Sequence, residues 1–147
     1  MKAVENIMHK DRLLAVIIRS HALEELQSSG KKISFPTPEH FPFQMGMQVR
    51  SKGDTVSVHF HNAFPELKNL PVQEFLFVKS GKIKIDLHDD LENDAKVSEV
   101  VVGSGDTILL NTGHGLTFLE NTELIELKQG PYRGKEEEKR FIAGEKQ

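Results

Sequence analysis

From residue 44 onward the chain is written in short runs that alternate polar and apolar side chains, the two-residue period of strands whose faces meet different surroundings. Met45, Met47 and Val49 alternate with Gln44, Gly46, Gln48 and Arg50. Within residues 55–61, Val56, Val58 and Phe60 fall on one face and His59 and His61 on the other. Phe75 and Phe77 oppose Glu74, Leu76 and Val78, and Lys79-Ser80-Gly81-Lys82 reads as a hairpin-type turn into a returning strand over residues 83–87. Runs at 97–102, 107–110, 116–119 and 123–128 continue the series, with Gly103, Gly105, Gly113 and Asn121 marking turns between them. Short strands separated by turn residues predict an all-β sandwich or barrel.

The ends read differently. Residues 1–12 are polar and expected to be partly loose. The apolar run 13–19 is β-branched-rich and fits either a buried strand or a short helix. Ser20, with Glu24 and Glu25 following and Gly30 as a stop, predicts a helix start. Residues 35–42 hold three prolines and predict a loop. The tail from 134 to 147 is dense in charge and reads either as a short terminal helix with Phe141 and Ile142 docked or as a frayed end. The expected organisation is an N-terminal extension (1–34) packing on a barrel, one domain (35–133) and a charged tail (134–147).

Composition narrows the function classes. At 147 residues, 37% hydrophobic and 28% charged, the chain suits one soluble globular domain with a single core. A net charge of -3 offers no electrostatic grip on nucleic acid or an anionic membrane. The absence of cysteine removes disulfides, thiolate metal sites and cysteine nucleophiles. The opening residues lack a signal-peptide core and no run is long enough to span a bilayer, so a cytoplasmic location is expected.

The candidate chemistry sits between Gly53 and Gly81. Side chains at i and i+2 leave the same face of a strand, which puts the imidazoles of His59 and His61 side by side, about 7 Å apart at their Cα atoms. Glu74 opens a neighbouring strand. Two imidazoles and a carboxylate suit a facial divalent-metal site with open positions. The acidic run 88–94 around His88 also invites a cation, but it lacks the glycine and spacing of an EF-hand and reads as a solvated turn.

Gly53, then His59-Phe60-His61, then Glu74 and Gly81 resemble the first motif of the cupin superfamily; Gly105-Asp106-Thr107-Ile108-Leu109-Leu110 and Asn111-Thr112-Gly113-His114 resemble the second. More narrowly, HFHN, QEFLFVKSGKIKIDL, GDTILL and KQGPYRGKEEEKRF are similar to the small WbuC-type cupin metalloproteins associated with bacterial surface-polysaccharide synthesis. The resemblance implies a double-stranded β-helix (jelly-roll barrel) with a short helical or extended N-terminal segment, and metal ligands at His59, His61, Glu74 and His114. The pattern departs from the general motif in two places. Twelve residues separate His61 from Glu74, an insertion whose loop-closure cost rises only slowly with length. Asn111 stands where proline is usual, and His114 directly follows Gly113 in a glycine-flanked turn.

The resemblance implies one divalent transition metal, with Fe, Mn, Ni, Co and Zn all suited to such ligands. It also implies a metal-dependent enzyme on a small oxygenated substrate, a sugar or sugar-nucleotide isomerase or epimerase, or an iron-dependent dioxygenase. The alternatives are a non-catalytic small-ligand-binding cupin with a structural metal, and a metal-free core in which the histidines are satisfied by hydrogen bonds. Tyr132 and Lys79 are the candidate proton shuttles. Arg50 is a candidate substrate-binding anion anchor, lining the cavity if its strand lies beside the histidine strand. Outward-facing Val56, Val58, Phe60, Phe75 and Phe77 predict a homodimer or cover by residues 13–18.

Overall fold

The two-residue alternation becomes antiparallel strands throughout. The computed structural model describes residues 1–142; the last five residues of the expected tail lie outside the described residues. In chain order the elements are β1 (Val4–His9), β2 (Arg12–Ile18), α1 (Ala22–Ser28), β3 (Ile33–Ser34), β4 (Phe43–Arg50), β5 (Thr55–His61) and β6 (Glu74–Ser80), then β7 (Lys82–Asp89), β8 (Ala95–Gly103), β9 (Thr107–Leu110), β10 (Gly113–Phe118), β11 (Thr122–Gln129), α2 (Lys135–Glu138) and β12 (Lys139–Phe141). One five-stranded sheet runs β12-β5-β10-β7-β8, the other β3-β4-β11-β6-β9, and β1 pairs only with β2.

The sheets enclose a core to which both contribute. Val56, Ile83, Ile85, Val102, Leu116 and Phe118 come from the first sheet; Leu76, Val78, Leu110 and Leu124 from the second. Burying such side chains contributes roughly 1.5–3 kcal/mol each. The turn expected at residues 79–82 is a corner, not a hairpin. β6 bonds to β11 and β9, whereas β7 bonds to β10 and β8, so the chain crosses from one sheet to the other at Gly81. Gly81 has φ of +102°, and a Cβ there would lie 2.5 Å from the Asn121 carbonyl oxygen. Only glycine meets both demands.

The N-terminal residues are more ordered than their polarity predicts. Residues expected to be loose form β1, hairpinned with β2, so the apolar run 13–19 is extended, not helical. α1 starts after His21 with no side-chain cap, so Ser20 is not the N-cap. Its Ala22, Leu23 and Leu26 pack with Ala3 onto Met47 and Val49, covering part of the outer face of the second sheet. The rest of that face stays bare: Phe43, Phe75, Phe77, Leu109 and Leu127 are exposed.

β5 breaks its own alternation. His59 pairs with His114 and Val56 with Leu116, so three steps on β5 match two on β10. Ser57 and Val58 together oppose Gly115, a β-bulge. It turns Val56 to the same side as His59, and Val56 joins the core instead of facing outward as its two-residue spacing predicts. Phe60 does face outward, but it is buried: the Arg140 guanidinium lies 4.1 Å over its ring, and its edge lies where a Cβ of Gly113 would be. Of the five apolar residues expected outside, Phe75 and Phe77 are the exposed ones.

Candidate metal centre

The strand pairings bring the four expected ligands together. His59 and His61 come from β5, His114 from β10 beside it, and Glu74 from β6 in the opposite sheet. One ligand atom from each lies within 4.8 Å of all the others. Glu74 Oε2 is 3.0 Å from His61 Nε2 and 3.3 Å from His114 Nε2. The ring centroid of His59 is 5.0 Å from that of His61 and 4.7 Å from that of His114.

His114 does not sit in a turn. It is the second residue of β10, and its glycine neighbours serve packing instead of conformational freedom. A Cβ on Gly113 would lie 2.4 Å from the Phe60 ring, and one on Gly115 would lie 2.8 Å from Val58 Cγ2. The two glycines let β10 lie flat against the outward side chains of the histidine strand.

Tautomers are set by the backbone. His59 Nδ1 lies 2.8 Å from the Ser57 carbonyl and His114 Nδ1 lies 2.9 Å from the Thr112 carbonyl. A carbonyl only accepts, so both Nδ1 atoms carry the proton and both Nε2 lone pairs face the cluster, the arrangement that orients imidazoles on metals. His61 Nδ1 is buried with no hydrogen-bond partner among the described residues. Burial first, with Lys139 nearby working in the same direction, pushes the His59 pKa down to about 3, so His59 is neutral at physiological pH, as a metal ligand requires.

Glu74 is flanked by a residue that motif reasoning missed. Glu126, on β11, is fully enclosed, and burial followed by its contact with Glu74 raises its pKa well above the usual carboxylate range. For Glu74, burial works upward, but the hydrogen bond from Glu126 and the neighbouring His114 and His61 outweigh it and hold Glu74 well below that range. Glu126 therefore carries a proton and donates it to a Glu74 carboxylate. Gln48 Nε2 donates to Glu126 Oε1 at 2.7 Å, and Arg50 Nε donates to Gln48 Oε1 at 2.9 Å. β4 does not lie beside β5; it lines the interior from the opposite sheet, and Gln48 on its polar face is buried there. Arg50 reaches the cluster only through Gln48 and Glu126. Its guanidinium lies 5.6 Å from the Phe118 ring and borders a different cavity of about 380 Å³, with Lys31, Lys32 and Ser80.

The tail closes the site. β12 pairs with β5, with Lys139 opposite His61 and Phe141 opposite His59. Paired residues share a face, so Lys139 and Phe141 point inward with the histidines. The Phe141 ring is 6.1 Å from that of His59. Lys128, Tyr132, Lys135, Glu138, Lys139 and Phe141 line a cavity of about 350 Å³ beyond them. Tyr132 thus shares this cavity with Lys139 and Phe141, whereas Lys79 pairs with Glu123 at 3.1 Å and donates to the Ser20 carbonyl, outside it. Lys139 and Glu138 belong to a segment whose charge density reads as solvated; its pairing with a strand about 80 residues earlier left no local signal.

No protein-family model matches the chain, and no curated protein matches it. Solved structures do. An oxalate oxidase is 18% identical over 69% of this chain and 46% of its own, with a TM-score of 0.51. KdgF from Halomonas sp. is 18% identical over 69% of this chain and 80% of its own, with a TM-score of 0.50. A cupin superfamily protein from Desulfitobacterium hafniense is 9% identical over 66% of this chain and 74% of its own, with a TM-score of 0.50. This chain spans less than half of the oxalate oxidase chain. Among the described residues no helix is long and apolar enough to cross a membrane. Two antiparallel sheets closing on a core, with histidines on adjacent strands and these structural relatives, identify the architecture: this chain has the cupin fold.

Proposed function

We propose that the protein is a metal-dependent enzyme that binds one divalent transition metal through His59, His61, Glu74 and His114 and acts on a small oxygenated substrate. The observation that carries this reading is the convergence of three imidazoles and a carboxylate within 4.8 Å, with the Nε2 atoms of His59 and His114 free of protons. When bound, the metal supplies Lewis acidity toward a carbonyl or hydroxyl oxygen. The chain supplies the rest. Glu126 holds Glu74 in place through a shared proton, Phe141 excludes water beside His59, and the cavity beyond provides room for a ligand. Tyr132, half exposed at the cavity wall, is the candidate proton carrier. The likeness of the tail and motif sequences to WbuC-type proteins favours a sugar or sugar-nucleotide isomerisation or epimerisation in the cytoplasm, tied to surface-polysaccharide synthesis.

Metal titration of tag-free protein tests the assignment. His59→Ala or Glu74→Ala is expected to abolish stoichiometric metal, and His114→Ala to weaken binding while leaving a detectable site. Wild-type protein that takes up no divalent metal at neutral pH would sink the reading.

We also infer a homodimer. Phe43, Phe75, Leu109 and Leu127 line an outer groove of about 700 Å³, and the hairpin of the same chain carries exposed Ile7, Met8 and Leu14. A second copy offers complementary apolar surface to both. Light scattering at micromolar concentration should give twice the chain mass of 16.6 kDa; a monodisperse monomer rejects the dimer.

A further inference from the structure

Lys139 presents a problem that the protein alone does not solve. Its side chain enters the barrel mouth beside His61, where burial pushes its ammonium below the usual range. It makes no hydrogen bond or ion pair among the described residues. The residue is of intermediate burial, so its ammonium keeps part of its water but has no carboxylate to replace the rest. Across the same cavity lies Lys128, almost wholly buried, with Glu138 at 3.7 Å and the Phe35 ring at 4.9 Å. Glu138 balances one of these two lysines. The other charge is left over, Lys135 on the same cavity wall adds a third cation, and a divalent metal held by the single ionised carboxylate of Glu74 would add to them. This excess of cations over carboxylates on one cavity wall favours an anion.

We propose that Lys139, assisted by Lys128, receives an anionic group of the ligand, a carboxylate or phosphate, while the ligand's oxygenated end faces the four-residue cluster. This rests on the metal reading above and narrows it to a substrate class: small acids or phosphate esters in place of neutral sugars. A lysine suits the task as a compact point charge that follows its ligand on a flexible stem. Arg50, the anchor expected from sequence, serves a different cavity.

The test is calorimetric titration of full-length, metal-loaded protein with malate, glycerol 1-phosphate and neutral glycerol. The expected result is that malate or glycerol 1-phosphate binds and glycerol does not. Which of the two binds identifies the group as carboxylate or phosphate. Lys139→Met, which keeps the alkyl stem, should lower that affinity by roughly tenfold to a hundredfold, the usual loss of one charge-assisted contact. Lys139→Arg should restore part of it, and metal content should not change in either variant. Equal affinity in the wild type and Lys139→Met, or no binding of either anion, overturns the proposal and leaves the metal reading intact. Protein that takes up no metal sinks the metal reading instead. The same titration on that metal-free protein still decides the lysine: Lys139-dependent anion binding keeps it as an anion site, and its absence removes it.

Discussion

The barrel interior has two ends built from the same strands and governed by opposite rules. β5 contributes Val56 to one end and His59 and His61 to the other; β6 contributes Leu76 and Val78, then Glu74; β10 contributes Leu116 and Phe118, then His114. At the apolar end, side chains of both sheets interlock, and shape alone decides what fits. At the polar end the buried groups are tied to neighbours: His59 to Ser57, His114 to Thr112, Glu74 to Glu126, and Glu126 to Gln48. Among the described residues His61 Nδ1 has no such partner, and the half-buried Lys139 stands opposite it on β12. The comparison teaches a division of labour. The apolar end supplies the stability that the polar end consumes by holding desolvated imidazoles and carboxylates close together.

Acid should break the comparison most sharply. His59 has a folded pKa of about 3, below its ordinary 6.5, so between those values the unfolded chain binds the extra proton. Its contribution is therefore complete above pH 6.5, declines as the pH falls and is gone near pH 3; the loss is on the order of 5 kcal/mol at most. Urea unfolding of metal-free protein across this range should show the decline, and His59→Gln should flatten it. A next, comparable effect is Phe118→Ala at the apolar end, expected to cost about 3–5 kcal/mol through the cavity it leaves. Metal stoichiometry of the folded fraction should not change. If metal binding falls with it, the two ends are not independent.

Smaller changes sharpen the boundary. Gly113→Ala forces a Cβ into the Phe60 ring, and overpacking of this kind costs about 1–3 kcal/mol. Because Gly113 adjoins His114, metal affinity should weaken as well, read by titration against a competing chelator. The smallest effect is expected for Phe75→Ser on the outer face, within about 0.5 kcal/mol at concentrations that keep the chain monomeric.

What the sequence reveals follows the range of the forces involved. The strands β5, β6 and β9 were legible because side-chain alternation is local, and the cluster of His59, His61, Glu74 and His114 was legible because its motif spacing is. Three things were not. β11 misleads: Ile125 and Leu127 are apolar, yet they face outward, Ile125 under α1, while Glu126 and Lys128 share the inward face with Leu124. The corner at Gly81 looks like a hairpin, since a tight turn leaves the same local signal whether the chain returns to its own sheet or crosses to the other. Lys139 looks solvated because only its pairing with His61 places it inside.

The extra residue in β5 has a consequence of its own. A strand assigns faces by parity: odd positions to one side, even positions to the other. By setting Ser57 and Val58 against the single residue Gly115, the chain resets the count between Val56 and His59, so an odd separation becomes a shared face. Inserting one residue beside Gly115 on β10 would undo this without removing any ligand. The flanking residues would return to strict parity, and Val56 and the histidines could no longer occupy the same interior. One strand would then have to choose between filling the core and holding the metal, and a lineage carrying this site cannot drift in length at that point as it can in the long loop between His61 and Glu74.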